Sequence, residues 1–206
     1  TAFHDCSPEQ ASEMVVDLIN SGVAIQSIWD GIYASAGELM MRQRGIISLH
    51  SVTTTNALHH AFKTAANDQT RQYLLLQNAS FLPMFREAAR GRGPLADRHI
   101  TDLNHEDKAK PTESVRAIFQ TMGRDRPGAS QMMYQYLPAG GDAQSVVDHA
   151  RRLVFLKGDD SHDYKFSSAA LEDYRRLSPQ WRNRFLAAST FQLRNETEKT
   201  RPLVKR

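Results

Sequence analysis

Apolar residues recur at helical spacing along most of the chain, and short polar segments separate these stretches. The first stretch follows Ser7-Pro8-Glu9-Gln10, which has the form of a capping box, and it ends at Gly22. Similar periodicities predict further helices at about 25–44, 46–65, 68–90, 113–122, 143–157, 163–176 and 179–194, with Thr112 as the cap of the helix that begins at 113. No stretch alternates apolar and polar residues in the way a half-buried strand requires. The sequence therefore predicts an all-α fold, a bundle of about seven to nine helices with no sheet.

Two segments interrupt the helical pattern, near 91–111 and near 123–141, because both contain glycine and proline. We expect long loops there, with one or two helical turns at most in the second. Pro83 lies inside the fourth predicted helix, where it removes a backbone donor and predicts a kink or break. The 206 residues suffice for a single helical domain over 1–206. The two ends of the sequence suggest that this domain is the C-terminal part of a longer protein.

Composition excludes several classes of protein. Cys6 is the single cysteine, so an internal disulfide or a zinc site built from cysteines is excluded, although the roles of Cys6 and the nearby His4 stay open. No apolar run is long enough to span a bilayer. The net charge is +3, and the basic residues after Arg151 are interspersed with acids, which disfavours nucleic-acid binding. The compartment and the oligomeric state are not readable from the sequence.

Polar residues within the helical stretches are the first candidates for chemistry. On a helical wheel, His50 falls among the apolar residues of the third helix, His59 falls on the opposite side, and His60 lies near the edge. We therefore predict that His50 points into the core and that His59 and His60 lie on the surface. His50 is then either a neutral core histidine bonded to a hydroxyl or backbone carbonyl, or a metal ligand or catalytic group. Glu38 is interpreted as a helix-surface acid in preference to a buried carboxylate.

The segment 158–166 is the second candidate. Asp160 or Ser161 can cap the helix that follows, and this structural role accounts for the acids in the segment. His162 and Lys165 are three residues apart and therefore share a face of that helix. A lysine beside apolar surface can lose its charge. The neutral amine can then act as a base or a nucleophile, or take up carbon dioxide and become a carbamate ligand for a metal.

Two short motifs resemble segments of the questin oxidase-like proteins, which are all-α proteins with recurring His-x-x-Thr-type helical segments. One motif is Leu49-His50-Ser51-Val52-Thr53 followed by Asn56-Ala57-Leu58, and the other is Asp159-Asp160-Ser161-His162-Asp163-Tyr164. The whole chain also resembles the C-terminal part of a longer, uncharacterised bacterial all-α family, with Ile28-Trp29-Asp30 ahead of the His50 helix.

The questin oxidase-like resemblance implies oxygen chemistry on an aromatic or apolar small molecule, at a mononuclear non-haem iron held by histidines and a carboxylated lysine. Transferred to this sequence, it implies that His50, His162 and Lys165 are ligands of Fe(II), and that the remainder of the parent chain supplies the other ligands. Neutral imidazoles and an oxygen donor suit Fe(II). The apolar walls of a substrate site would come from Phe62, Phe81 and Phe155.

Two hypotheses about function result. In the first, the parent protein is a metal-dependent oxygenase-type enzyme, and the imidazoles of His50 and His162 approach within about 4 to 7 Å because they bind one ion. In the second, the chain is a non-enzymatic helical scaffold or protein-interaction domain, and His50 is a structural core residue. Neither the substrate nor the presence of a metal can be read from the sequence.

Overall fold

The computed structural model describes residue 3 and residues 5–104 and 114–201, and all the regular structure in these residues is helical. It consists of nine α-helices and one 3₁₀ helix, with no strand among the described residues. The predicted all-α bundle is confirmed. In chain order the α-helices are α1 Pro8–Asn20, α2 Ile25–Arg42, α3 Ile46–Thr64, α4 Asp68–Arg90, α5 Val115–Thr121, α6 Arg126–Tyr136, α7 Ala143–Lys157, α8 Ser161–Asp173 and α9 Pro179–Ser189. The 3₁₀ helix is Ile100–Asp102, between α4 and α5.

Side-chain caps account for the agreement between several predicted and observed helix boundaries. At α1, the Ser7 hydroxyl accepts a hydrogen bond from the Gln10 backbone N–H, and the Gln10 side chain accepts one from the Ser7 N–H. At α7, the Asp142 carboxylate accepts hydrogen bonds from two backbone N–H groups of the first turn. These bonds satisfy donors that an uncapped helix leaves unpaired. None of the described helices is both long enough and apolar enough to cross a membrane.

Two predicted interruptions of the helical structure differ from what the structure shows. α4 continues through Pro83, which is buried, so the predicted break is wrong, while the predicted kink stays a prediction. The segment near 123–141 is not mainly a loop, because it contains α6, which is 11 residues long. Pro127 lies in the first turn of α6, where its missing N–H costs no helical hydrogen bond, and Asp125 caps this turn by accepting from Gly128. The other predicted loop, near 91–111, is described only as far as residue 104.

α2 lies at the centre of the bundle and packs against α3, α4 and α9. Thirteen of its 18 residues are buried, so it has almost no solvent-exposed face. α3 in turn packs against α8, which also contacts α7. Residues from distant parts of the sequence therefore meet along α2 and α3.

Glu38 is completely buried within α2, so its interpretation as a surface acid is wrong. Its Oε2 accepts a hydrogen bond of 2.9 Å from the Ile100 backbone N–H, and its Oε1 lies 3.2 Å from His99 Nδ1. The carboxylate therefore holds the 3₁₀ turn against α2. A buried carboxylate needs such partners, because leaving it unpaired costs several kcal/mol.

α2 and α9 approach each other closely at Gly37. A Cβ on Gly37 would lie 3.2 Å from the Phe185 ring, whereas a Cβ on Gly31 of the same helix would lie 3.7 Å from its nearest neighbour. Alanine favours a helix over glycine by about 1 kcal/mol, so Gly31→Ala is expected to raise the free energy of unfolding by about 0.5–1 kcal/mol. Gly37→Ala must displace a buried ring and is expected to be at least about 1 kcal/mol less stable than Gly31→Ala. Urea unfolding measures both, and equal stabilisation by the two substitutions would contradict the tight contact.

Candidate functional site

α3 and α8 bring His50 and His162 together at the edge of the bundle. The centroids of the two imidazole rings lie 5.5 Å apart, and the rings are nearly perpendicular, at 81°. His50 lies near the start of α3 and His162 in the first turn of α8, and both side chains are partly exposed. The separation falls within the range expected of two ligands of one ion. Two residues more than 100 positions apart in the sequence therefore share one site.

The surroundings of His50 favour its neutral form. Partial burial lowers the pKa of His50, and the neighbouring positive charges of His162 and Lys165 lower it further. A neutral imidazole has one ring nitrogen with a free lone pair, which is the form that binds a metal. Lys165 is itself exposed, one helical turn after His162. The three predicted ligands thus lie in one region of the surface.

His50 is nevertheless not a core residue, and His59 is not a surface residue. His59 is only 4% exposed, whereas His50 is partly exposed and His60, as predicted, is exposed. The helical wheel failed because the buried face of α3 is largely polar. The buried residues of α3 are Ser48, Leu49, Ser51, Val52, Thr55 and His59. Small hydroxyl side chains allow α3 to pack closely against its neighbours, so apolarity does not mark the buried face.

The start of α8 holds His162 in place through Asp160. Asp160 Oδ1 accepts a hydrogen bond of 2.6 Å from the His162 backbone N–H and lies 3.3 Å from His162 Nδ1. Asp163 Oδ2 in turn accepts from the backbone N–H groups of Asp159 and Asp160, which completes a capping box. The structural role predicted for these acids is therefore present in the helix.

The acids of this segment do not form a free cation site. Asp159, Asp160 and Asp163 are the one group of three metal-ligating side chains that come within 4.8 Å of one another in the described part of the chain. Arg194 forms ion pairs with Asp159 and Asp163, so two of the three carboxylates already have a cationic partner. Among the described residues, no third His, Cys, Asp or Glu side chain joins His50 and His162 in such a group.

His59 belongs to a buried hydrogen-bonded network that the sequence did not reveal. His59 Nδ1 lies 2.9 Å from the Tyr33 hydroxyl, which donates a hydrogen bond of 2.9 Å to Asp173 Oδ1. When Asp173 is ionised, Tyr33 donates its single proton to the carboxylate, and the tyrosine oxygen then accepts a hydrogen bond from His59 Nδ1. Asn56 Nδ2 donates a further hydrogen bond of 2.8 Å to Asp173 Oδ1. The His59 ring also packs on Trp29, with ring centroids 4.5 Å apart.

Burial shifts the pKa of each ionisable group in this network towards its neutral form. It raises the pKa of Asp173 to about 7, against the opposing effects of the Asn56 and Tyr33 hydrogen bonds and the Arg176 charge. It lowers the pKa of His59 to about 4, and the Arg176 charge acts in the same direction. It also raises the pKa of Tyr33 well above its usual range. Near neutral pH, His59 and Tyr33 are therefore neutral, whereas the Asp173 carboxyl changes its protonation state in this range, with Arg176 Nη1 3.6 Å from its Oδ1.

The aromatic residues expected to line a substrate site lie in different places. Phe62 packs beside Trp29 and His59, with ring centroids 5.3 and 6.3 Å away. Phe81 packs against the next aromatic residue of α4. Phe155 is 68% exposed and lines a recess of about 280 Å³ between α7 and α8, beside Tyr164. Tyr164 faces this recess, whereas His162 faces α3, so the recess lies on a different side of α8 from the histidine pair.

Cys6 does not join His50 and His162 in a group of potential metal ligands within the described residues. It is buried and forms no disulfide, and its backbone carbonyl accepts a hydrogen bond of 2.9 Å from Arg86. His4 lies outside the described residues.

No protein-family model, curated protein or solved structure matches the chain. The resemblance to the questin oxidase-like proteins therefore stays a prediction that rests on two short motifs.

Proposed function

We propose that His50 and His162 are part of a transition-metal site, and that the protein is a metal-dependent oxidoreductase or oxygenase acting on an aromatic or apolar small molecule. The observation that carries this proposal is the 5.5 Å approach of two imidazole rings from separate helices. Two helices of a packed bundle are rigid supports, and side chains on facing helices are a common way of building metal sites in all-α proteins.

The residues present fit half of a non-haem iron site. His50 is neutral near pH 7 because its pKa is lowered, so a nitrogen lone pair is available to Fe(II). Lys165 is exposed, so the apolar surface that was expected to favour its neutral, carbamate-forming amine is not present around it, and the proposal rests on the two histidines. The remaining ligands would come from the remainder of the parent chain. Fe(II), when bound, supplies redox chemistry and an open coordination position.

Metal titration of the 206-residue chain tests the proposal. We expect one site by calorimetry with Cu(II), which binds nitrogen ligands more tightly than the other divalent metals of its row, and the same site with Fe(II) under anaerobic conditions. His50→Ala and His162→Ala are each expected to weaken binding by at least about 100-fold, because each removes a direct ligand. His60→Ala changes an exposed histidine of the same helix and is expected to leave binding unchanged. Equal binding by the wild type and all three variants would contradict the proposal.

A second candidate function is a non-enzymatic scaffold or protein-interaction domain. It is favoured by the exposed Phe155, which leaves a large aromatic side chain in water beside the recess between α7 and α8. In that case the purified protein carries no metal at His50 and His162. Replacing both histidines would then leave metal content unchanged, which distinguishes the two functions in a single measurement.

A further inference from the structure

We infer that Asp160 is a positioning residue for His162, whose carboxylate keeps the ring proton on Nδ1 and so leaves Nε2 as the ligand atom. This inference rests on the proposed metal site and assigns a role within it. It also makes a claim about the metal-free protein that can be tested separately.

The helix cap places the carboxylate beside the ring. Asp160 Oδ1 accepts the His162 backbone N–H at 2.6 Å, which fixes this oxygen relative to the residue whose ring it faces. The same oxygen lies 3.3 Å from His162 Nδ1. The Asp160 backbone N–H donates to Asp163 Oδ2 at 3.4 Å, so the residue is held from both ends. An acid fixed in this way acts on the ring continuously, unlike a freely rotating surface acid.

The charge of Asp160 is directed at His162. Arg194, the nearby cation, forms its ion pairs with Asp159, Asp163 and Glu198. The ion pair of Asp160 in the described part of the chain is the one with His162. The Asp160 side chain is 61% exposed, and its charge acts on the imidazole through this one contact.

A negative oxygen beside Nδ1 decides which tautomer of the neutral ring is stable. A proton on Nδ1 is attracted to the carboxylate, whereas a lone pair on Nδ1 would be repelled by it. Histidines that bind metals commonly donate their second ring N–H to a carboxylate, which sets the tautomer and the ring orientation, and losing that partner typically costs about 10–100-fold in metal affinity. Asp160 Oδ1 lies 3.3 Å from His162 Nδ1, which puts a negative oxygen next to this ring nitrogen and not next to Nε2.

A variant that keeps the cap and removes the charge separates this role from simple helix capping. Serine is a good N-cap residue, so Asp160→Ser preserves an acceptor for the first turn while removing the carboxylate near the ring. Asp142→Ser at the start of α7 is the matched control, because Asp142 makes the same kind of cap and has no ion pair with a ligand histidine.

Nitrogen NMR of the metal-free chain, at a pH where His162 is neutral, gives the direct readout. We expect the wild type and Asp142→Ser to carry the His162 proton on Nδ1, and Asp160→Ser to shift towards the tautomer with the proton on Nε2. Calorimetry with Cu(II) is expected to show about 10-fold weaker binding for Asp160→Ser and no change for Asp142→Ser. A proton on Nε2 in the wild type, or an unchanged tautomer in Asp160→Ser, would overturn the role of Asp160. Absence of Cu(II) binding by the wild type, with the proton on Nδ1, would instead overturn the metal site.

Discussion

Tyr33→Phe is expected to lower the free energy of unfolding by about 2–4 kcal/mol, although it removes a single oxygen atom. The Tyr33 hydroxyl links His59 Nδ1 and Asp173 Oδ1, each at 2.9 Å, and all three side chains are buried. Without the hydroxyl, the His59 N–H loses its acceptor and Asp173 loses a donor. Each buried polar group left without a partner costs about 1–3 kcal/mol, and the loss is larger where water cannot enter.

Tyr73→Phe is the matched control for this substitution. Tyr73 is 62% exposed, and its hydroxyl accepts a hydrogen bond from the exposed side chain of Gln69. Water can replace that bond, so we expect a change within about 0.5 kcal/mol. Urea unfolding followed by circular dichroism measures both variants. A similar, small effect for the two would show that the Tyr33 hydroxyl does not bridge His59 and Asp173.

Much of the helical structure could be predicted because its signals are local. The capping box at Ser7 and the acid cap at Asp142 are each complete within four residues of sequence, and both mark the observed starts of helices. The length of α6 was underestimated, at one or two turns, because Pro127 and Gly128 are common both in loops and in the first turn of a helix. The hydrogen bond from the Gly128 N–H to Asp125 is what marks the first turn of a helix here, and the sequence does not show that bond.

The orientation of α3 could not be predicted because its buried face depends on what surrounds it. Thr55 is completely buried and donates a hydrogen bond of 3.3 Å to Asn78 of α4, whereas Ala57 is exposed. A helical wheel that assigns apolar residues to the core predicts the reverse, a buried Ala57 and an exposed Thr55. A helix enclosed by three others can bury polar side chains when partners on those helices receive them, as Asn78 of α4 does for Thr55 and Tyr33 of α2 for His59.

The position of partners on other helices also explains which candidate residues could be found in the sequence and which could not. The approach of His50 and His162 was expected from two motifs and a proposed shared ion, and the helices do bring the rings to 5.5 Å. The partners of His59 are Tyr33 on α2 and, through it, Asp173 on α8, and no local pattern connects these positions. The one available signal was the spacing of Trp29 and Tyr33, one turn apart, which marks an aromatic face on α2.

The buried network is also expected to give the protein two opposing pH dependences of stability. The folded-state pKa of Asp173 is about 7, above its ordinary 3.8, so between these values the folded state binds a proton that the unfolded state has released. The protonated Asp173 therefore adds to the free energy of unfolding. This added stability is complete below about pH 4 and is lost as the pH rises towards 7. The folded-state pKa of His59 is about 4, below its ordinary 6.5, so in that window the unfolded state binds the extra proton, and stability increases with pH. The two contributions largely cancel between about pH 4 and 6.5 in the wild type.

Removing either group should therefore expose the pH dependence of the other. For each variant, the deficit is the amount by which its free energy of unfolding falls below that of the wild type at the same pH. For Asp173→Asn this deficit is expected to be largest near pH 4 and to shrink by roughly 3 kcal/mol towards pH 7. His59→Gln should show the reverse, with a deficit that is smallest near pH 4 and grows by roughly 3 kcal/mol towards pH 6.5. Urea unfolding across this pH range measures both, with the exposed Asp148→Asn as the control whose deficit stays constant. An acid and a base that burial both favours in the neutral form change the stability in opposite directions with pH. Deficits that change in the same direction for both variants would therefore show that burial does not favour the neutral form of both Asp173 and His59.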